Sequence, residues 1–293
     1  MKNHCITGVA ALLVFASCSK QLSTEPLNFN VETASATYNV GDTVTFFFSG
    51  NPDFISFYSG EEGNNYDNRE RTTIDGTPRL QFTSYAQYGT QLNTLQLLVS
   101  NDFKESYDEA GINAAKWTDI TSQATLSTGA DNTPSGVVDL SDFLAQKKPV
   151  YIAFKYTGTS GNAQKTWTIK SLTVDLLKKD GSVLPVTDIA TAAWRQVSIK
   201  NPAAVWTISA TQLRIAGGNA AAEDNEDWVI SKLLYLNNVL PDVAVPVKNI
   251  AQKVDSYKYV FSKSGAYKVV FLAVNATADV QQATTKEIQL TIK

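Results

Sequence analysis

The chain has 293 residues, 43% of them hydrophobic and 18% charged, which is enough apolar material for one large core or two modest ones. Lys and Arg number 25 against 28 Asp and Glu, so no basic excess points to nucleic acid, and the apolar and aromatic content argues against disorder. Met1, His4, Cys5 and Cys18 are the only Met, His and Cys residues. From Ser19 onward this excludes a Ser-His-Asp triad, a Cys-His dyad, a His/Cys zinc site, haem ligation and disulfides.

At the amino terminus, Lys2 supplies a positive charge and Ile6 to Ala16 forms an apolar run of 11 residues. That run is too short to span a bilayer and fits the hydrophobic part of a secretory signal. It ends in Phe15-Ala16-Ser17-Cys18, which resembles a lipobox, with Phe15 where an aliphatic residue is usual. The resemblance implies a signal peptide over 1–17, lipid attachment at Cys18 and a polar tether over 18–30. Acylation would hold the chain to a membrane without a transmembrane helix. An ordinary signal peptide with an incidental cysteine is the alternative. Ser19-Lys20-Gln21-Leu22 lacks an early acidic run resembling a surface-export signal, so surface and periplasm-facing orientations both stay open.

Downstream, two-residue apolar spacing predicts strands almost throughout. Val44, Phe46 and Phe48 alternate after the Gly41-Asp42 turn, as do Leu95, Leu97 and Val99. Val150, Ile152, Phe154 and Tyr156 follow the same rule, then Tyr257, Tyr259 and Phe261. Tyr267, Val269 and Phe271, and finally Ile288, Leu290 and Ile292, complete the series. Short helices fit only near Glu105–Ala115 and Ser141–Gln146. The fold class is all-β, built as sandwiches. Neither Val31 to Ser59 nor Tyr257 to Lys293 offers enough strands to bury a core alone, so the two ends are expected to form one sandwich.

Tyr38 to Phe46 resembles the opening of a polycystic-kidney-disease-type (PKD-like) domain, an immunoglobulin-like sandwich, and Tyr257–Phe261 with Gly265–Val269 resembles its final hairpin. The Gly-Asp-Gly loop of that family is absent. Leu97–Phe103, Trp117–Ile120, Ser135–Leu140, Val150–Tyr156 and Thr166–Ile169 resemble a jelly roll of the cleaved-adhesin and choice-of-anchor type. Asp227-Trp228-Val229-Ile230-Ser231 resembles a strand those modules place first; here it comes last, which implies a circularly permuted insertion. The expected order is a first sandwich part over 31–74, an inserted jelly roll over 75–237 and a second sandwich part over 238–293. Phe48 to Glu61 most specifically resembles the Bacteroidota lipoproteins grouped as domain-of-unknown-function family 5017. That resemblance implies an outer-membrane, cell-surface role beside transporters that import glycans.

Carboxylates are the one catalytic class left, at Glu61-Glu62, Asp102 to Glu109 and Glu223 to Asp227. Glycoside hydrolysis needs two of them at a defined separation, and no flanking motif singles out a pair. Glu223 to Asp227 is also a candidate for structural calcium, although it lacks EF-hand spacing; a solvated loop is the plainer reading. Gly161 to Thr166 departs from a phosphate loop at Gln164 and is rejected. Trp117, Trp167 and Trp228 fit core positions. Trp194, Tyr58, Tyr66 and Tyr107 lie beside loops, and Asn64 to Arg69 is either a polar ligand loop or a connector.

The expected function is therefore non-catalytic binding of a polysaccharide or oligosaccharide, with no catalytic residue. Outer-membrane transporter components are further expected partners. Tyr85, Tyr88 and Trp206 are the expected ligand-stacking residues, because flat aromatics dominate many recognition surfaces. A protein-binding adhesin or scaffold is the alternative, with a carboxylate-dependent glycosidase third.

Overall fold

The computed structural model describes residues 26–293, so Cys18 and the expected signal peptide over 1–17 lie outside the described residues. The chain is all-β, in antiparallel sheets that form sandwich-like layers. Among the described residues the helices are short, Glu109–Ala114 and Ser141–Leu144 being the α-helical ones. The described residues divide into two compact units, one comprising those up to Arg71 with Pro241–Lys293, the other Thr72–Leu240.

The first unit draws its strands from both ends of the chain. Thr43–Gly50 is the middle strand of three, between Phe29–Thr33 and Ser256–Val260. The second sheet places Phe54–Tyr58 against Gly265–Ala276, which pairs in turn with Gln281–Ile292. Alternation along these strands turns Val44, Phe46, Ile55, Phe57, Phe271 and Leu290 into one core. Phe46, Phe57 and Phe271 lie with ring centroids 5.0–5.8 Å apart, within the range of favourable tilted aromatic pairs.

The second unit has a five-stranded sheet and a seven-stranded sheet that share a core. The seven-stranded sheet is organised by Thr77–Gln87 running antiparallel to Thr166–Leu177. On the first strand Leu80, Phe82 and Ala86 keep a strict two-residue alternation into the core. On its partner the buried set runs Trp167, Ile169, then Leu172, Val174 and Leu176, so the parity changes once. A register shift between Lys170 and Thr173 absorbs the change, with Ser171 in the left-handed region at φ 51°. Such a bulge is needed because a one-residue slip would otherwise turn the rest of the strand outward.

In the five-stranded sheet, Tyr151–Gly158 lies between Leu95–Ser100 and Asn225–Ile230. Its first four residues are all buried, because Ile152 and Phe154 face the main core while Tyr151 and Ala153 face a second cluster. That second cluster contains Phe103, Ile112 and Trp228, so the segment carrying Glu109–Ala114 covers the sheet's outer face. The strand Asn225–Ile230 is central, paired on its other side with Arg195–Lys200. The two connecting segments are also paired: Thr73 bridges Asn238, and the Val239 amide donates to the Thr72 carbonyl. This pairing carries the second unit a few residues beyond the 75–237 span of the sequence reading.

Residues 72–240 expressed alone should melt in a single cooperative transition, since both sheets and their core lie within that span. Residues 26–71 alone should give no cooperative melt, because Thr43–Gly50 would keep only Phe29–Thr33 and Phe54–Tyr58 would lose both its neighbours. Circular dichroism melts check both, and a sharp transition in the short piece would contradict the pairing described.

Candidate functional site

The strand Thr77–Gln87 ends in a loop of unusual backbone. Tyr88, Gly89 and Asn93 all lie in the left-handed region, at φ 54°, 55° and 56°. A non-glycine residue there is uncommon and carries local strain. Gly89 is required by space as well, since a Cβ would stand 2.6 Å from the Ala163 carbonyl oxygen.

The loop is clamped to the opposite turn. The Thr90 amide donates to the Ala163 carbonyl at 3.2 Å. The Gln91 side chain donates to the carbonyls of Thr159 and Asn162, and its Oε1 accepts from the Thr159 amide at 3.0 Å. Polar residues thus fix the loop while its apolar ones face outward: Tyr88 is 75% exposed and Leu92 80%.

Beside this loop opens a cleft of about 640 Å³, lined by Leu92 to Gln96, Asp119, Thr121, Ser122, Leu126 to Thr128, Lys165 and Trp167. The volume lies in the range of small-molecule sites, and the lining mixes apolar side chains with a few oriented polar groups. The Trp167 indole N–H donates to the Thr94 hydroxyl at 2.8 Å, which holds the ring in place. Asp119 accepts from the Gln96 side-chain Nε2 at 2.8 Å and from the Thr121 backbone amide and hydroxyl. Partial burial raises the Asp119 pKa, but the hydrogen bonds from Thr121 and Gln96 outweigh it and hold the carboxyl below its ordinary value. It is the one carboxylate in the cleft lining, where paired-carboxylate hydrolysis would need two. The cleft can therefore offer an ionised acceptor, amide and hydroxyl groups, one ammonium and an apolar wall.

The three stacking residues expected from sequence do not form one rim. Tyr88 is the first loop residue after Gln87 and stands exposed. Tyr85, half-buried, lies on the other face of its strand from Leu80 and Phe82, opposite Thr168. Trp206 is a correction: it is 1% exposed, packs in the main core and donates its indole N–H to the Asp227 carbonyl. A ring so enclosed has no face to offer a ligand.

Trp194 is buried too, its N–H on the Ile189 carbonyl. In the first unit, Tyr58 packs edge-on against Tyr66, and Arg69 lies over the Tyr66 ring. The Asn64 to Arg69 loop spends its polar groups internally: Asn64 accepts from the Ser59 amide, and Asp242 accepts from the Asn65 amide. Sequence reasoning missed Leu92, Asn93, Gln96, Asp119 and Lys165. The available signal was Leu92, an isolated aliphatic residue among turn-forming Gly89, Thr90 and Asn93.

A family profile described as Domain of unknown function (DUF5017) matches residues 17–194, more than half of the chain. The chain belongs to that family. No curated protein and no solved structure matches it.

In this DUF5017 member the acidic run Glu223 to Asp227 does not gather around one point. The Asp224 carboxylate accepts from the Ser160 amide, Glu226 pairs with Lys155 at 3.0 Å, and Asp227 faces inward at 1% exposure. Among the described residues no group of three or more His, Cys, Asp or Glu could hold a metal. Neither Asp227 carboxylate oxygen completes a hydrogen bond. Burial pushes its pKa up to about 7, with the neighbouring Ser198 and Asn225 side chains pulling the other way.

The folded chain therefore holds the Asp227 proton to about pH 7, whereas the unfolded chain releases it near pH 4. Between those values the folded state binds more protons, so this group's stability contribution falls as pH rises. The loss is roughly 4 kcal/mol at its upper limit. Asp227→Asn removes the titration. The melting temperature of the unsubstituted chain should decline relative to this variant between about pH 4 and pH 7. A pH-independent difference would contradict a raised pKa at Asp227.

Proposed function

We propose that this protein is a lipid-anchored component of the outer membrane that binds a glycan at the cell surface without transforming it. The reading follows the Bacteroidota lipoproteins it resembles, with a PKD-like sandwich and an inserted, permuted jelly roll. The observation that carries it is the clamped Tyr88 to Asn93 loop beside the cleft. A saccharide ring offers apolar C–H faces edged by hydroxyls. Leu92 and Leu126, backed by the buried Leu95 and Trp167, suit the faces; Asn93, Gln96, Asp119, Ser122 and Lys165 suit the hydroxyls. A loop already fixed by hydrogen bonds loses little further entropy on binding. Delivery of the bound glycan to an outer-membrane transporter is the corresponding role.

Affinity electrophoresis through a panel of polysaccharides tests the binding. At least one should retard the protein, and Tyr88→Ala with Leu92→Ala should weaken that retardation by about 2 kcal/mol, roughly thirtyfold in affinity. The melting temperature should stay nearly unchanged, since both side chains are exposed. No retardation by any polysaccharide, with stable capture of an outer-membrane protein, would favour a protein-binding scaffold instead.

The anchor is tested separately. Cys18→Ala should abolish acyl labelling and move the protein to the soluble fraction. Unchanged membrane partitioning would rule out anchorage at Cys18, and whole-cell protease accessibility would distinguish a surface orientation from a periplasmic one.

A further inference from the structure

A second cavity, of about 840 Å³, lies at the other end of the strand ladder that carries the cleft. Thr77 and Leu177, which pair at that end of the ladder, both line it, whereas the cleft lies by the opposite end, where Thr166 pairs with Gln87. Its lining includes four lysines, Lys147, Lys148, Lys178 and Lys179, and one carboxylate, Asp75. The chain as a whole carries a net charge of −3, so this concentration of ammonium groups runs against the overall balance.

Lys179 pairs with Asp75 at 3.2 Å with both side chains largely exposed, an arrangement that water screens. Lys147 and Lys148 make no ion pair among the described residues; the charge on Lys148 contributes, as a minor cause, to lowering the Asp102 pKa. Lys147 ends the turn after Ser141–Leu144 in the left-handed region, at φ 54°, with its amide on the Leu144 carbonyl. Glycine or asparagine suits that backbone position better. Beneath the charges, Ile74, Leu144, Pro149, Leu177 and Leu236 form an apolar floor, and Tyr235, 52% exposed, stands beside it with Asn237 and Asn238.

We infer that this cavity binds an acidic oligosaccharide, its carboxylate or sulfate groups held by Lys147, Lys148, Lys178 and Lys179 and its sugar faces against Tyr235 and the apolar floor. The volume is that of an organic ligand and far exceeds what a single inorganic anion fills. The amide side chains of Asn237 and Asn238 supply the hydrogen bonding that ring hydroxyls require. The site shares no residue with the cleft, so its failure would leave the cleft reading intact.

Calorimetric titration of the full chain with a uronate trisaccharide, a sulfated tetrasaccharide and a neutral trisaccharide tests it. At least one acidic ligand should bind about tenfold or more tightly than the neutral one, and its affinity should fall with added salt as exposed charges are screened. Lys147→Gln with Lys148→Gln should reduce that affinity about tenfold with an unchanged melting temperature, whereas Leu92→Ala should leave it unaltered. Absence of acidic preference, or unaltered affinity in the double variant, would overturn the proposal. Equal displacement by inorganic sulfate would reduce the site to a simple anion patch, and binding only to anionic lipid vesicles would assign it to a membrane; either result overturns it.

Discussion

The second unit depends on one antiparallel ladder, Thr77–Gln87 against Thr166–Leu177. Its core requires apolar side chains on one face of both strands over their whole length. The first strand meets this by unbroken alternation, the second only through the bulge at Ser171. Without that extra residue, Leu172, Val174 and Leu176 would face away from Leu80 and Phe82. The bulge therefore fixes which residues of the second strand are core and which are surface, while unbroken alternation places Tyr85 on the face away from Leu80 and Phe82.

The same ladder sets the positions of the two cavities. Where a pair of strands ends, backbone pairing stops and the polar groups need other partners. At the Gln87 end those partners are supplied by Gln91 and by the Gly89 approach to residues 163–164, which freeze a loop with Tyr88 and Leu92 outward. At the Thr77 end the neighbouring turns bring two pairs of consecutive lysines to one cavity. Consecutive lysines read as ordinary solubilising charge in a sequence; their proximity comes from two turns some thirty residues apart.

Buried polar groups mark where folding tolerates a cost. Asp227 lies on an interior strand between buried Asn225 and Val229 on the same face, and it stays protonated well above its ordinary range because ionisation in that setting is expensive. Its neighbours Asp224 and Glu226 spend their charge on Ser160 and Lys155 instead. The acidic run thus does not converge: Asp224 precedes the strand, and Glu226 and Asp227 point apart because alternate positions on a strand face opposite sides.

Apolar alternation established the all-β class, since a period of two is a local property carried by neighbours such as Val150, Ile152, Phe154 and Tyr156. The confinement of Met, His and Cys to the first 18 positions likewise excluded whole classes of chemistry from composition alone. The fate of the aromatics was not legible in this way. Trp206 and Tyr88 both lie next to turn-forming residues, Asn201-Pro202 before one and Gly89 after the other, yet one is enclosed and the other stands in solvent. The cleft was equally hidden: Leu92 with Gln96, Asp119 and Lys165 come from three separate stretches whose proximity no local spacing encodes. Strand period depends on the residues next along the chain, whereas exposure and side-chain convergence depend on which distant strand lies alongside, and that is decided only when the sheets pair and pack.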